Sequence, residues 1–370
     1  MKSTTLLLAL LLSSQSWSQQ TNENVDIGAT NRTYVQYLPT GFNPATESLP
    51  VVFCLHGIGD VSTNMSGIGF NQIGDTARFI SVYPQGLTNA FGQTSWNNGT
   101  LLSSTANDID FFHAMINDMI LNHNADPSRI YVSGFSMGSI MSYKLACEMN
   151  NRIAAIGTMS GTMSTEDLTN CAPIYVTPVI HFHGTADATV PFDTGALPSL
   201  ELVPATINFW VNAHGCAATS DSTQIFDSAA DGYTVDRFVY QNCTPLESVE
   251  FWRINGGDHE YFYQPNNDFT ESIEIWKFFN KWTHSNPAQA GLETLTANGI
   301  TISPNPTEGI IEVTTKEIDV LEVYSTAGKL LHSQAVSEGT TAIDLSELSA
   351  GIYVVKLNSL PEVSERIVVQ

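Results

Sequence analysis

The residues with the clearest chemical signature form the stretch Gly134-Phe135-Ser136-Met137-Gly138. A β-branched and aromatic run precedes it, and apolar residues recur with helical spacing after it, so the sequence predicts a strand, a sharp turn and a helix. Glycines on both sides of the serine let strand and helix approach closely, which strains the backbone and exposes the hydroxyl of Ser136. The motif also arises by chance in a glycine- and serine-rich chain, so its functional interpretation depends on the predicted strand before it and the predicted helix after it. Ser136 is therefore a candidate nucleophile.

A serine nucleophile needs a base and an acid that orients the base, and both candidates follow later apolar runs. Asp187 comes directly after the run at 179–182, and His259 lies in a glycine-rich loop after the run at 249–254. The order Ser136, Asp187, His259 resembles that of α/β-hydrolases, whose nucleophile lies on a strand-turn-helix elbow, and each residue falls just after a predicted strand. Taken alone, Asp187 would fit a helix cap equally well, and any one of the nine histidines is more often a surface or core residue than a catalytic base. Together they indicate a catalytic triad.

Two backbone amides are candidates for an oxyanion hole. The amide of Met137 lies at the positive end of the predicted helix, where an oxyanion would form. The turn His56-Gly57-Ile58-Gly59 follows the apolar run at 51–55 and is able to offer the amide of Ile58. An ordinary strand-to-helix turn is the alternative for this second stretch.

Metal and nucleotide chemistry find little support in the sequence. His181 and His183 form a His-x-His pair on one face of a predicted strand, but no third ligand with suitable spacing accompanies them. No glycine pattern typical of nucleotide binding occurs. We therefore predict a reaction without metal or cofactor.

The elements that must position these residues alternate between strands and helices. Continuous apolar runs at 51–55, 79–83, 153–159, 179–182 and 249–254 predict buried parallel strands, and 34–38 predicts an edge strand. Helical spacing at 108–121 and 271–282 predicts helices between and after them. This order indicates an α/β fold with a doubly wound, mostly parallel sheet and an active site beyond the strand C-termini.

Length and charge limit the possible classes of protein. A chain of 370 residues is long for one core and suggests two domains plus processing segments. The formal net charge of −23 disfavours DNA, RNA and anionic membrane surfaces as partners. With only 14% charged residues and 10% aromatics, the composition is that of folded domains with acidic surfaces.

The first residues are typical of a secretory signal peptide. Lys2 precedes a short apolar run at 6–12, and the small-x-small pattern Ser16-Trp17-Ser18 follows it. Because the run is too short to span a bilayer, we predict cleavage after residue 18, export from the cytoplasm and no membrane span in the mature chain.

Export permits disulfide bonds, and the chain has five cysteines. Cys54 lies inside an apolar run and is expected to be a buried free thiol. We hypothesise one bridge between Cys147 and Cys171, and a second between Cys216 and Cys243, which flank a polar insertion.

Residues 32–282 resemble the secreted esterases that group with polyhydroxybutyrate depolymerases and with feruloyl or acetylxylan esterases. The resemblance is carried by Leu55-His56-Gly57, Ser95-Trp96-Asn97, 126–132, Gly134-Phe135-Ser136-Met137-Gly138, His183-Gly184-Thr185-Ala186-Asp187, Val190-Pro191 and Gly256-Gly257-Asp258-His259. It implies that Ser136, Asp187 and His259 are the triad. Two departures from the family pattern are expected to touch the pocket wall: Glu260-Tyr261-Phe262-Tyr263 stands where the family has Trp-Pro, and Ser139 replaces a glycine.

Aromatic residues near the triad suggest a substrate pocket. Trp96, Tyr261 and Phe262 are able to provide flat apolar walls for a phenolic ring or a sugar face. The alternative is that these rings pack beneath long loops. On this basis a feruloyl or acetyl ester of a polysaccharide is favoured over polyhydroxybutyrate as the substrate.

The C-terminal part reads as a separate unit. Residues 286–293 form a predicted linker, and alternating strand and turn signals continue to residue 370. The stretches Pro304-Asn305-Pro306, 323–329 and Gly351-Ile352-Tyr353 resemble the sorting domain that Bacteroidetes use for type IX secretion. The alternative is a small polysaccharide-binding sandwich, although no tryptophan follows Trp282.

The predicted organisation is a signal peptide at 1–18, a catalytic domain at 19–285, a linker at 286–293 and a small all-β sandwich at 294–370. The predicted function is a secreted or cell-surface serine esterase that is delivered by the type IX machinery. The alternatives are a polyester depolymerase, a serine peptidase and a non-catalytic adhesin on a hydrolase fold. A peptidase of this kind would carry a gating propeller, and an adhesin would have lost the triad.

Overall fold

Nineteen elements form the larger part of the chain. The computed structural model describes residues 19–195, 197–285, 300–325, 329–349 and 351–369. The elements are β1 (Gln20–Ile27), β2 (Thr30–Tyr37), β3 (Val51–Leu55), α1 (Ser62–Met65), α2 (Phe70–Ala77), β4 (Ile80–Pro84), β5 (Leu87–Thr88), β6 (Thr94–Ser95), α3 (Asp108–His123), β7 (Ile130–Phe135), α4 (Met137–Glu148), β8 (Ala155–Met159), α5 (Thr165–Asn170), β9 (Val179–Gly184), α6 (Val203–Ala213), β10 (Ser220–Gln224), β11 (Thr234–Tyr240), β12 (Val249–Asn255) and α7 (Glu271–Phe279).

Ten of these strands form one sheet in the order β1-β2-β4-β3-β7-β8-β9-β12-β11-β10. The central strands, from β4 to β12 in the sheet order, run parallel to one another. Each of the two outer strands on either side pairs antiparallel with its inner neighbour. All the apolar runs that predict parallel strands lie in this central part. The predicted doubly wound, mostly parallel sheet is therefore confirmed.

The central strands are largely apolar because both of their faces are covered. Along β3, Val51, Phe53 and Leu55 belong to a core shared with α3, α4 and α6, while Val52 and Cys54 belong to a second core shared with α2 and α7. Every residue of β3 is buried. Alternate side chains thus enter different cores, which explains a continuous apolar run in place of an alternating one.

The prediction that residues 34–38 form an edge strand is wrong. β1 pairs antiparallel with β2 and lies outside it. At the opposite side, the polar insertion between Cys216 and Cys243 contains the hairpin β10–β11, which extends the sheet. Edge strands face solvent on much of their surface, so their sequences are polar and lack the apolar signal of the central strands.

Both hypothesised disulfide bridges are present, and Cys54 is a buried free thiol. Cys147 in α4 is joined to Cys171, the residue that follows α5, while Cys216 and Cys243 close the base of the β10–β11 hairpin. The first bridge thus fastens α5 to α4, and the second joins the two ends of the hairpin insertion.

The C-terminal part is entirely β. Its strands are β13 (Thr301–Ser303), β14 (Ile310–Thr315), β15 (Asp319–Ser325), β16 (Leu330–Val336), β17 (Gly339–Asp344), β18 (Gly351–Leu357) and β19 (Leu360–Val369). They form two antiparallel sheets, β13-β14-β17 and β16-β15-β18-β19, which share one apolar core. The predicted small β domain after the α/β domain is confirmed as a fold class.

Among the described residues, no helix has the length and apolar character needed to cross a membrane. The predicted signal peptide at 1–18 and the predicted linker at 286–293 lie outside the described residues.

Candidate active site

Ser136 lies at a sharp turn between β7 and α4, with φ of 55° and ψ of −119°. A Cβ atom on Gly134 would lie 2.3 Å from the backbone carbon of Gly138, and a Cβ on Gly138 would lie 2.2 Å from the Leu55 carbonyl oxygen. Only glycine fits at both positions, so β3, β7 and α4 meet at backbone contact. This packing holds a serine in a conformation with positive φ, which non-glycine residues rarely adopt.

Ser139 fastens the elbow to the next strand. Its side chain is fully buried, and its hydroxyl lies 2.6 Å from the Gly134 carbonyl oxygen and 2.8 Å from the Met159 amide nitrogen. Met159 in turn accepts a hydrogen bond of 2.8 Å from the Ser136 amide. The expectation that Ser139 touches the pocket wall is wrong, because its hydroxyl is used within the core of the elbow.

The predicted triad residues lie within hydrogen-bonding distance of one another. His259 Nε2 is 2.9 Å from Ser136 Oγ, and His259 Nδ1 is 2.8 Å from Asp187 Oδ2. The imidazole is also covered by the ring of Phe135, with ring centroids 5.0 Å apart. This contact was not predicted, although Phe135 belongs to the elbow motif itself.

The loops that carry Asp187 and His259 follow adjacent parallel strands, β9 and β12, and are joined to each other. Ala186 N–H donates to the Gly257 carbonyl at 2.9 Å, and Ala188 N–H donates to Asp258 Oδ1 at 3.1 Å. The sequence did not single out Asp258, whose carboxylate also accepts the His259 amide at 2.8 Å. Acid and base are therefore held in one loop assembly.

Asp187 is a buried carboxylate with several donors. Burial alone would raise its pKa, but hydrogen bonds from His183, His259 and the Val190 amide outweigh it and hold the pKa of Asp187 well below its ordinary value. Because the folded-state pKa is the lower one, this carboxylate stabilises the fold above about pH 4, and the contribution is lost as the pH falls further. Asp187 thus remains ionised wherever His259 is able to act as a base.

A buried chain of histidines supplies one of these donors. His183 Nε2 is 2.8 Å from the Val190 carbonyl oxygen and 3.3 Å from Asp187 Oδ2, so this nitrogen carries the proton. His183 Nδ1 then accepts from His181 Nε2 at 3.2 Å, and His181 Nδ1 lies 2.8 Å from the Tyr143 hydroxyl. Burial lowers the pKa of His181, which keeps it neutral. Each hydrogen bond in this histidine chain donates in the direction of Asp187. The ring nitrogens of His181 and His183 therefore all have partners within the protein.

The two predicted oxyanion donors flank the nucleophile. Met137 is the first residue of α4, where backbone N–H groups have no acceptor within the helix. A Cβ on Gly57 would lie 3.4 Å from Ser136 Cβ, so the turn that carries Ile58 packs against the elbow. His56 fixes this turn, because its Nδ1 donates to the Gly57 carbonyl at 2.7 Å and its Nε2 accepts the Gly86 amide at 2.9 Å.

A cavity of about 260 Å³ opens beside Ser136, and its walls are almost entirely aliphatic. Besides Ser136, the lining residues are Ile58, Thr100, Leu101, Leu102, Met137, Ile140, Thr189, Val190, Leu197, Pro198 and Leu200. Among the residues that the structure describes, no aromatic side chain lines it. The cavity offers apolar surface on the side of Ser136 where the two predicted oxyanion donors lie.

Trp96, Tyr261 and Phe262 do not line the cavity beside Ser136, so the prediction that they form the substrate pocket is wrong. Trp96 is fully buried and donates from Nε1 to the His56 carbonyl at 2.9 Å. Phe262 is 1% exposed and packs between Tyr233 and Phe269. Tyr261 lines a different groove, where its hydroxyl donates to the Ile68 carbonyl at 2.8 Å. Trp96 therefore supports the turn at His56, and the other two rings anchor the loop after His259.

Residues 42–202 match the family model described as phospholipase/carboxylesterase, and residues 301–370 match the model of the secretion system C-terminal sorting domain. In the solved structure of an acetyl xylan esterase from Aspergillus awamori, the same fold recurs with a TM-score of 0.52 and 16% identity, covering 70% of this chain and 99% of that one. The larger domain thus has an α/β-hydrolase fold, and the C-terminal β domain is similar to secretion system sorting domains.

Curated relatives match at 24% to 27% identity. A bifunctional acetylxylan esterase/xylanase of Neocallimastix patriciarum is 24% identical over 74% of this chain and 36% of its own length. Feruloyl esterase B of Piromyces equi is 27% identical over 62% of this chain and 42% of its own length. Poly(3-hydroxyalkanoate) depolymerase C of Paucimonas lemoignei is 25% identical over 60% of this chain and 57% of its own length. The chain spans between about a third and a half of the length of the first relatives that it matches.

The histidine chain predicts a positioning role for His183. His183→Leu removes a donor from the Asp187 carboxylate and should lower kcat for a soluble model ester by roughly 10- to 100-fold, the effect of one charge-assisted hydrogen bond. The KM should change less than twofold, because His183 is buried away from the cavity. Without this donor the Asp187 carboxylate interacts more strongly with the protonated imidazole of His259, so activity should also be lost at a higher pH on the acid side.

His183→Gln is the matched control, since its amide nitrogen is able to donate from nearly the same place. Steady-state kinetics across pH, with circular dichroism to monitor folding, should show most of kcat restored in this variant. Equal losses in the Leu and Gln variants, or a pH profile that does not move, would contradict the role.

Proposed function

We propose that this protein is a secreted serine esterase that hydrolyses carboxylic esters, with Ser136, His259 and Asp187 as its catalytic triad. The observation that carries the proposal is the hydrogen-bonded chain from Ser136 Oγ through His259 to a buried carboxylate, at the edge of an apolar cavity. The matches to esterases over the same part of the chain support it.

Each group has a defined part in the proposed reaction. Ser136 Oγ attacks the ester carbonyl while His259 Nε2 takes its proton, and Asp187 holds the imidazole tautomer and stabilises the imidazolium. The amides of Met137 and Ile58 donate to the oxyanion of the tetrahedral intermediate. His259 then gives the proton to the leaving alcohol, and water, activated by the same histidine, releases the acid from the acyl-enzyme.

One substitution tests the assignment of Ser136 as the nucleophile. Ser136→Ala should reduce kcat for a model ester by roughly 10⁴-fold or more and leave the fold intact, because only a hydroxyl is removed. A fluorophosphonate probe followed by peptide mapping should label Ser136 in the wild-type protein and give no label in the variant. Labelling of another serine, or activity retained in the variant, would refute the assignment.

The proposed substrates are feruloyl or acetyl esters carried by a polysaccharide, consistent with the named activities of the relatives. The cavity beside Ser136 would hold the acyl group, and its open rim at Leu101 and Leu197 would leave the alcohol part outside. A second candidate, a polyhydroxyalkanoate depolymerase, is favoured by the aliphatic walls, which suit a hydroxyalkanoyl chain, and by the depolymerase relative.

The cavity walls predict how acyl groups are selected. Leu197→Trp should fill much of the acyl site, lowering kcat/KM for methyl ferulate and for a hydroxybutyrate oligomer at least tenfold while changing that for an acetylated xylan fragment less than threefold. In the wild-type protein, the ratios of kcat/KM among the three esters identify the substrate class. Leu246→Trp, at a leucine that is 68% exposed and lies outside the cavity, is the control. Equal losses for all three esters would contradict an acyl site here.

We also propose that the C-terminal domain directs export through the type IX machinery to the cell surface or medium, after removal of a signal peptide. The match of residues 301–370 to the sorting-domain model supports this proposal. The triad residues all lie upstream, in a domain with its own cores.

Removal of residues 294–370 tests the sorting role. The truncated protein should keep kcat/KM within about twofold of the full chain, because domains with separate cores fold independently. In the native host it should accumulate in the periplasm, while the full chain with Ser136→Ala is still exported. Normal delivery of the truncated protein would contradict a sorting role.

A further inference from the structure

Three carboxylates outside the active site form a compact cluster. Asp227 and Asp231 lie in the loop between β10 and β11, and Asp268 lies in the segment before α7. One oxygen from each residue lies within 4.8 Å of the other two. Like charges this close repel one another strongly unless a cation is shared between them.

Asp268 provides a second, independent observation. Its side chain is only 7% exposed. Oδ1 accepts the amides of Ser228 at 2.6 Å and Ala229 at 2.8 Å, whereas Oδ2 is buried without a hydrogen-bond partner. A buried carboxylate oxygen left unpaired carries a substantial desolvation penalty, and a cation removes that penalty.

Arg237 and Lys277 line the same cavity as Asp268, but they pair with Glu250 and Glu274 and not with the cluster. Within the described part of the chain, none of the three carboxylates forms an ion pair with lysine, arginine or histidine. The contacts that do reach Asp231 are neutral: Tyr233 N–H donates to Oδ1 at 2.9 Å, and Asn267 Nδ2 donates to Oδ2 at 3.0 Å. These donors orient the carboxylate but do not neutralise it.

We propose that Asp227, Asp231 and Asp268 bind a calcium ion. Oxygens at 2.3–2.6 Å from Ca²⁺ lie at most about 5 Å apart, which the separation within the cluster satisfies. The donor set consists of carboxylate oxygens, the ligands of a hard cation, and lacks the nitrogen and sulfur ligands that zinc prefers. Two carboxylates from a loop and one from the segment before α7 leave the remaining positions to water and backbone carbonyls, an arrangement that suits the flexible coordination of calcium better than the strict octahedron of magnesium.

The bound ion would join the β10–β11 loop to the segment that carries the catalytic base. Next to Asp231, the Tyr233 hydroxyl donates to Glu260 Oε1 at 2.8 Å, and the Tyr233 ring packs edge-on against Phe262. Glu260 directly follows His259 in the chain. Calcium at this site therefore stabilises the position of the His259 loop and takes no part in the chemistry.

Isothermal titration of CaCl₂ into the EDTA-treated full-length protein tests the site directly. We expect one ion per chain with a Kd of about 10⁻³ M or tighter, the range of extracellular calcium modules, and binding of MgCl₂ at least tenfold weaker. The melting temperature should rise by a few degrees in millimolar CaCl₂.

Asp227→Asn and Asp231→Asn should each weaken calcium binding at least tenfold and abolish the rise in melting temperature. Asp227 is exposed, so its substitution leaves the fold intact. Asp221→Asn removes an exposed carboxylate of β10 outside the cluster and should bind calcium as the wild type does. No binding at 10 mM CaCl₂, equal affinity in all variants, or equal affinity for magnesium would overturn the proposal.

Discussion

The negative charge of Asp187, enclosed in the protein, is the constraint on which the rest of the site depends. An unpaired carboxylate in this position would carry a desolvation penalty of several kcal/mol, so its stability requires donors on every accessible side. Thr189 and Val190 supply backbone N–H groups to one oxygen, while His183 and His259 reach the other. The fold of the loop after β9 follows from this requirement, and so does the tautomer of His259, which must direct Nδ1–H at the carboxylate.

The order of strands in the sheet makes that arrangement possible. Because β9 and β12 are parallel neighbours, their C-terminal loops leave the sheet side by side and exchange hydrogen bonds through Asp258 and Gly257. The proposed nucleophile, Ser136, follows β7, which is separated from β9 only by β8. Ser139 links the elbow to β8, and the Ser136 amide donates to the same strand. The distance between Ser136 and His259 is thus set by the hydrogen-bonded spacing of four neighbouring strands.

The apolar cavity has a different origin from the triad. Its walls come from the turn after β3, the start of α4, the loop at 100–102 and the loops that include Val190 and Leu200. Loops of this kind vary more readily than the buried strands, since they carry few obligatory backbone pairs. This separation explains why chemistry is readable from short motifs while substrate preference is a matter of surface shape. It also agrees with the different substrates, acetylxylan, feruloyl esters and poly(3-hydroxyalkanoate), for which the similar proteins are named.

The sequence by itself determined the features that depend on local chemistry: the elbow at Ser136, the central strands with their double burial, the order of Asp187 and His259, and Cys54 as the unpaired cysteine. These signals are local because backbone strain and continuous burial restrict the residue types at each position. Only the tertiary structure decided where long-range neighbours meet. It placed Trp96 in the core, directed the aromatic residues after His259 away from the cavity, added the polar edge strands β1 and β10, and aligned His181 and His183 behind Asp187. A side chain's surroundings depend on strand order and loop packing, which a run of amino acids does not encode position by position.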